Sequence, residues 1–134
     1  MKIKKIIVSA VAIAVAAAAL TITVIAADLV GGYNVYYSSS IGKTYALSTS
    51  TISADPTLHE VSLIINAMYR YRDENNEIHP DSKYVNLHNS GCSAYYTTNK
   101  SGGEMISVYA NHLFYVKPND CSASTGSFNS NATR

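Results

Sequence analysis

The stretch His59–Arg72, HEVSLIINAMYRYR, decides how this chain folds. Val61, Leu63, Ile65, Ala67, Tyr69 and Tyr71 share one parity, and Glu60, Ser62, Asn66, Arg70 and Arg72 share the other. Ile64 and Met68 are the two exceptions. A period of two over a dozen residues predicts a β-strand with one face in a core and the other mostly wet. β-Branched residues and tyrosine suit that pleated surface.

The same reading extends in both directions. GYNVYYS (32–38) and TYALSTSTIS (44–53) precede the long strand, and KYVNLHN (83–89), CSAYYTT (92–98) and EMISVYANHLFYV (104–116) follow it. Between them stand turn formers such as Ser90-Gly91 and the NKSGG of residues 99–103, where adjacent glycines supply positive φ without steric cost. About six short strands with turns between them predict an all-β chain, a small antiparallel β-sandwich. No segment after residue 27 shows helical periodicity, which excludes a parallel α/β arrangement.

The N-terminus has a different composition. Met1–Lys5 carries three lysines, and a charge-free run follows from Ile6 to Ala27. A basic start, an apolar middle and small residues before Asp28 predict a secretory signal peptide over residues 1–27. Cleavage would fall after Ala26 or Ala27. The alternative is a retained membrane anchor, because the run is long enough to cross a hydrocarbon core of roughly 30 Å. Residues 28–121 then form the sandwich domain. Residues 122–134, SASTGSFNSNATR, are expected to be a flexible polar tail, because they offer little apolar surface to bury. Residues 28–134 hold seven basic and nine acidic side chains, a balance without the footprint of a nucleic-acid or anionic-membrane binder. Membrane contact is expected only if the leader stays attached.

Cys92 and Cys121 are the two cysteines, and outside the cytoplasm an even pair predicts a disulfide. Two candidate sites stand out. In the acidic stretch between strands, Asp73, Asn75 and Glu77 are oxygen donors at the first, third and fifth positions of a calcium loop. The rest of that motif fails: Ile78 stands where glycine is needed and Tyr84 where the bidentate glutamate belongs. A long solvated connection explains the stretch as well. Tyrosine is the second feature, with eleven in the chain, two phenylalanines and no tryptophan. The adjacent pairs Tyr36-Tyr37 and Tyr95-Tyr96 must each turn one ring outward on a strand, which makes them a candidate binding surface.

Catalytic signals are absent from the sequence. His59, His79, His88 and His112 form no metal-ligand spacing, and His112 sits among apolar residues as a core histidine would. No serine lies in a nucleophile motif, and nothing pairs Glu60 with Glu104 as acid and base. No cofactor is implied. Asn99-Lys100-Ser101 and Asn131-Ala132-Thr133 match the glycosylation acceptor pattern.

The Ser/Thr-rich lead-in YALSTSTIS, the strand VSLIINAMYRYRDEN and the late histidine-bearing strand ISVYANHLFYV give residues 44–116 a recognisable shape. It resembles the small exported β-proteins of Gram-positive bacteria. The resemblance implies an exported β-sandwich and carries no functional residues over. Three functions fit: a non-enzymatic binding protein that recognises an extracellular protein or glycan, a self-assembling structural subunit, or a secreted bacteriocin-like antagonist.

Overall fold

The computed structural model describes residues 22–53, 58–88, 93–99, 103–119 and 121–134, with residues 22–25 and 93–99 described as backbone only. Eight strands follow one another: β1 (Ile22–Val30), β2 (Tyr33–Ile41), β3 (Tyr45–Ile52), β4 (Leu58–Arg72), β5 (Ile78–His88), β6 (Ser93–Asn99), β7 (Glu104–Pro118) and β8 (Ser124–Thr133). They pair into two four-stranded antiparallel sheets, ordered β1-β2-β3-β6 and β5-β4-β7-β8. The sheets face each other, with β1 and β2 over β8 and β7, and β6 over β4 and β5. The chain is therefore an all-β antiparallel sandwich.

β4 keeps its alternation. Val61, Leu63, Ile65, Ala67 and Tyr69 are buried, while Asn66, Met68 and Arg70 face solvent. Its partner β7 buries Val108, Ala110, His112, Phe114 and Val116 on the same layer. An irregularity in the pairing at Arg70/Tyr71 shifts the parity near the start of β7, so Met105 enters the core and Ile106 is only half-buried. These two fifteen-residue strands form the centre of their sheet. From the opposite layer, Val35, Ile41, Ala46 and Ile52 close the core over them.

Two expectations change. Residues 124–133 are not a flexible tail but strand β8, paired with β7 from Ser107↔Thr133 to Val116↔Ser124. Hydrophobicity hid this strand, because its core-facing positions are Ser124, Gly126, Phe128, Ser130 and Ala132. Small residues suffice there. A Cβ on Gly126 would lie 2.6 Å from a Val30 methyl carbon and 2.8 Å from the Phe128 ring, so glycine lets β1 pack close over β8.

Second, the polar connection after β4 shrinks to residues 73–77, and Ile78–Lys83 belong to β5. Pro80 is tolerated because β5 is an edge strand. Ile22–Ala27 pair with Ile41–Tyr36 as most of β1, so both expected leader cleavage points fall inside this strand. Gly31 and Gly32, at φ of 57° and 86°, make the tight turn that joins β1 to β2.

Deleting residues 122–134 is expected to lower the melting temperature by on the order of 10 °C or to abolish cooperative unfolding. Deletion of a flexible tail would leave the transition where it was.

Candidate functional site

Tyr36 and Tyr37, two of the four tyrosines singled out in the sequence, do not form an exposed face. Tyr37 points into the sandwich, stacked on Phe128 with ring centroids 5.0 Å apart and tilted against His112 at 5.4 Å. Burial there pushes its phenol up from the ordinary tyrosine range. Tyr36, on the other face of β2, is 4% exposed in the full-length chain, and its hydroxyl has no hydrogen-bond partner. Tyr95 and Tyr96 lie on β6 opposite Thr49 and Ser48, and their side chains are outside the described residues.

Exposed aromatic area appears instead on the outer face of the β5-β4-β7-β8 sheet. Tyr84 and Met68 are each 58% exposed and Tyr109 is 41% exposed. Pairing sets them in neighbouring rows across the sheet. One row runs Tyr84, Asn66, Asn111, Asn129, and the next runs Ser82, Met68, Tyr109, Asn131. Asn111 Nδ2 donates to Asn129 Oδ1 and to Ser127 Oγ, both at 2.9 Å, which holds the amides in a ladder. A groove of about 610 Å³ opens beside them, lined by Met68, Arg70, Pro80, Asp81, Ser107 and Tyr109 among others. Arg70 Nε donates to Ser107 Oγ at 3.3 Å, and Tyr69 Oη donates to Asp81 Oδ2 at 2.9 Å from the core side. Apolar rings beside oriented amides and a guanidinium are the composition of a recognition surface.

The alternation of β4 already told which of its residues face outward, so Asn66, Met68 and Arg70 were legible. Tyr84 and Tyr109 are single tyrosines, and their place beside Met68 becomes visible only through strand register.

The acidic stretch closes a turn. Asp73 Oδ1 accepts from the Asn75 and Glu77 amides, both at 2.9 Å, and Asp73 Oδ2 lies 2.6 Å from His79 Nε2. The Glu77 amide first and the His79 side chain second hold the Asp73 carboxyl below the usual carboxylate range. Asn76 takes a positive φ of 67°, and its Oδ1 accepts from Arg72. One ligand atom each of Asp73, Glu77 and His79 lie within 4.8 Å of one another, so His79 joins two of the three expected donors. Both Asp73 oxygens are already engaged in the turn, so the geometry is that of a hydrogen-bonded hairpin.

His112 is fully buried and joins the two sheets. Its Nδ1 lies 2.8 Å from Ser50 Oγ on β3, and its Nε2 lies 2.6 Å from Ser130 Oγ on β8. Ser130 continues to Ser39 at 2.7 Å, and Ser39 to Ser48 at 3.1 Å. A serine beside an imidazole is the start of a nucleophile pair, but this one lies in the core with no room for substrate. His88 does not join it, because it bonds Ser62 on the outer face. Glu60 and Glu104 sit at opposite ends of the β4–β7 pair, beside Lys117 and Arg72.

Cys121 lies exposed between β7 and β8 and carries no disulfide. Cys92 is outside the described residues. Asn131 is exposed on β8, and Asn99 closes β6.

Comparison with protein-family models, with curated proteins and with solved structures returns no match for this chain.

Burial lowers the His112 pKa from 6.5 to about 4. Between those values the unfolded chain binds a proton that the folded chain does not. Stability is therefore complete above pH 6.5 and falls as the pH drops toward 4, by at most about 3 kcal/mol. Asp73 adds a loss of the same sign below pH 3.8. Chemical denaturation across pH 4 to 7 should show this slope, and His112→Gln should flatten it. A flat wild-type profile would contradict the buried, neutral imidazole.

Proposed function

We propose that this protein is an exported, non-enzymatic β-sandwich that acts by binding a glycan through the outer face of its β5-β4-β7-β8 sheet. The observation that carries the reading is the pair of exposed tyrosines, Tyr84 and Tyr109, beside Met68 and a ladder of asparagines over an open groove. A hydroxyl-rich ring presents apolar C–H faces to tyrosine and hydroxyls to amides, and this face offers both. The amides stand on paired strands rather than on loops, so little order is lost on binding. A flexible surface would have to be ordered first.

Export rests on the basic start and the uncharged run from Ile6 to Ala27. The resemblance to exported β-proteins of Gram-positive bacteria is in keeping with it. The Asp73 turn belongs to the hairpin and takes no part in binding.

Binding to cell-wall and soluble polysaccharides tests the reading. Tyr84→Ala and Tyr109→Ala should each weaken binding roughly tenfold, about 1.4 kcal/mol, with the melting temperature unchanged because both rings are exposed. Equal binding by wild type and both variants, or binding of a protein ligand alone, would overturn it.

A further inference from the structure

The rows that carry Tyr84 and Tyr109 across the outer face are uncharged. The row beyond them runs Pro80, Arg70, Ser107, Thr133, and it brings one charge to the groove's outward lining. Asp81 also lines the groove, but its carboxylate is occupied. Its Oδ2 takes the Tyr69 hydroxyl at 2.9 Å on the core side, and its Oδ1 takes the Ser82 amide at 2.8 Å.

The chain has three arginines, and two of them have an oxygen acceptor at a terminal nitrogen. Arg72 donates to Asn76 Oδ1 at 2.9 Å, and Arg134 donates to Glu104 Oε1 at 3.4 Å. Arg70 differs. Its Nε donates to Ser107 Oγ, which steadies the guanidinium, while among the described residues Nη1 and Nη2 have no partner. Glu104, the acid beside Arg72 on this face, is held by Arg134. The free edge of the Arg70 fork is therefore open to a ligand.

Two parallel N–H groups match the two oxygens of a planar carboxylate. Residues two apart on a strand lie about 7 Å apart on the same face, so Arg70 stands that far from Met68, and Ser107 from Tyr109. A sugar ring laid on Tyr109 and Met68 would bring a carboxyl on that ring to Arg70. The charge balance sets a limit on the ligand as well. Residues 28–134 hold seven basic and nine acidic side chains, and such a surface repels a dense run of sulfates or phosphates. Spaced carboxylates suit one guanidinium.

Resting on the glycan reading, we infer that the ligand is an acidic glycan of the uronic-acid class. Its ring lies on Tyr109 and Met68, and its carboxylate is held by Nη1 and Nη2 of Arg70.

The test uses hyaluronan, alginate and polygalacturonate, each beside its carboxyl-reduced neutral form, with mannan and heparin as further probes. Wild type should bind a carboxylated member and lose roughly tenfold or more on its reduction. Arg70→Gln should lose the same factor for the native polymer and nothing for the reduced one, with an unchanged melting temperature because Arg70 is exposed. Arg70→Lys, which lacks the fork, should restore only part of the loss. Added salt should weaken wild type and leave Arg70→Gln unaffected. Glycan binding that ignores both carboxyl reduction and Arg70→Gln, yet falls in Tyr109→Ala, would overturn the inference and leave the glycan reading standing. Binding to heparin alone would also overturn it. Binding to none of these polymers would remove the glycan reading and the inference together.

Discussion

The sandwich turns on one imidazole held between two hydroxyls. His112 is placed by β7 in the middle of an apolar layer, where an unpaired ring nitrogen would cost more than the packing of its ring returns. Ser50 reaches it from the opposite sheet and Ser130 from β8, a neighbouring strand of its own sheet, while Ser39 ties Ser130 back across the core. A neutral imidazole donates once and accepts once, so the two hydroxyls play opposite roles. The network is satisfied in only one alignment of the sheets. Sliding β8 by one residue would replace Ser130 with Asn129 or Asn131 and turn Ser124 and Ser130 to solvent.

That constraint reaches the outer surface. β4 and β7 are the two central strands of their sheet, and every outward side chain on them takes its position from the register that His112 and its neighbours fix. Tyr109 stands three residues before His112 on β7, and Met68 is its partner on β4. The amide ladder from Asn66 through Asn111 to Asn129 follows from the same register. The face proposed for recognition is thus the outside of a layer whose inside is a hydrogen-bonded core.

The sequence revealed most where burial was one-sided. Val61 to Tyr69 alternate because one face of β4 meets the core and the other meets water, and the strand was legible from that alone. β8 was not, because four of its five inward residues are small and the buried Ser130 among them is satisfied by His112 and Ser39. Hydrophobicity cannot report a serine that is buried through its partners. The start of β5 was hidden for the opposite reason: an edge strand exposed on both sides has no period to show. Tyr36 and Tyr37 misled because adjacent rings do point to opposite faces, yet Tyr36 is 4% exposed and Tyr37 stacks on Phe128 in the core. Of the two readings of the acidic stretch, the connection is what the hydrogen bonds of Asp73 describe, closed over residues 73–77.

The most direct test of the central claim is the titration of the His112 imidazole followed by nitrogen NMR on the folded protein. The account predicts one ring that stays neutral down to about pH 4, in a single tautomer fixed by Ser50 and Ser130. A His112 that protonates near 6.5, or that exchanges between tautomers, would contradict it. The ring would then be in contact with water, and the two sheets would not be joined through it.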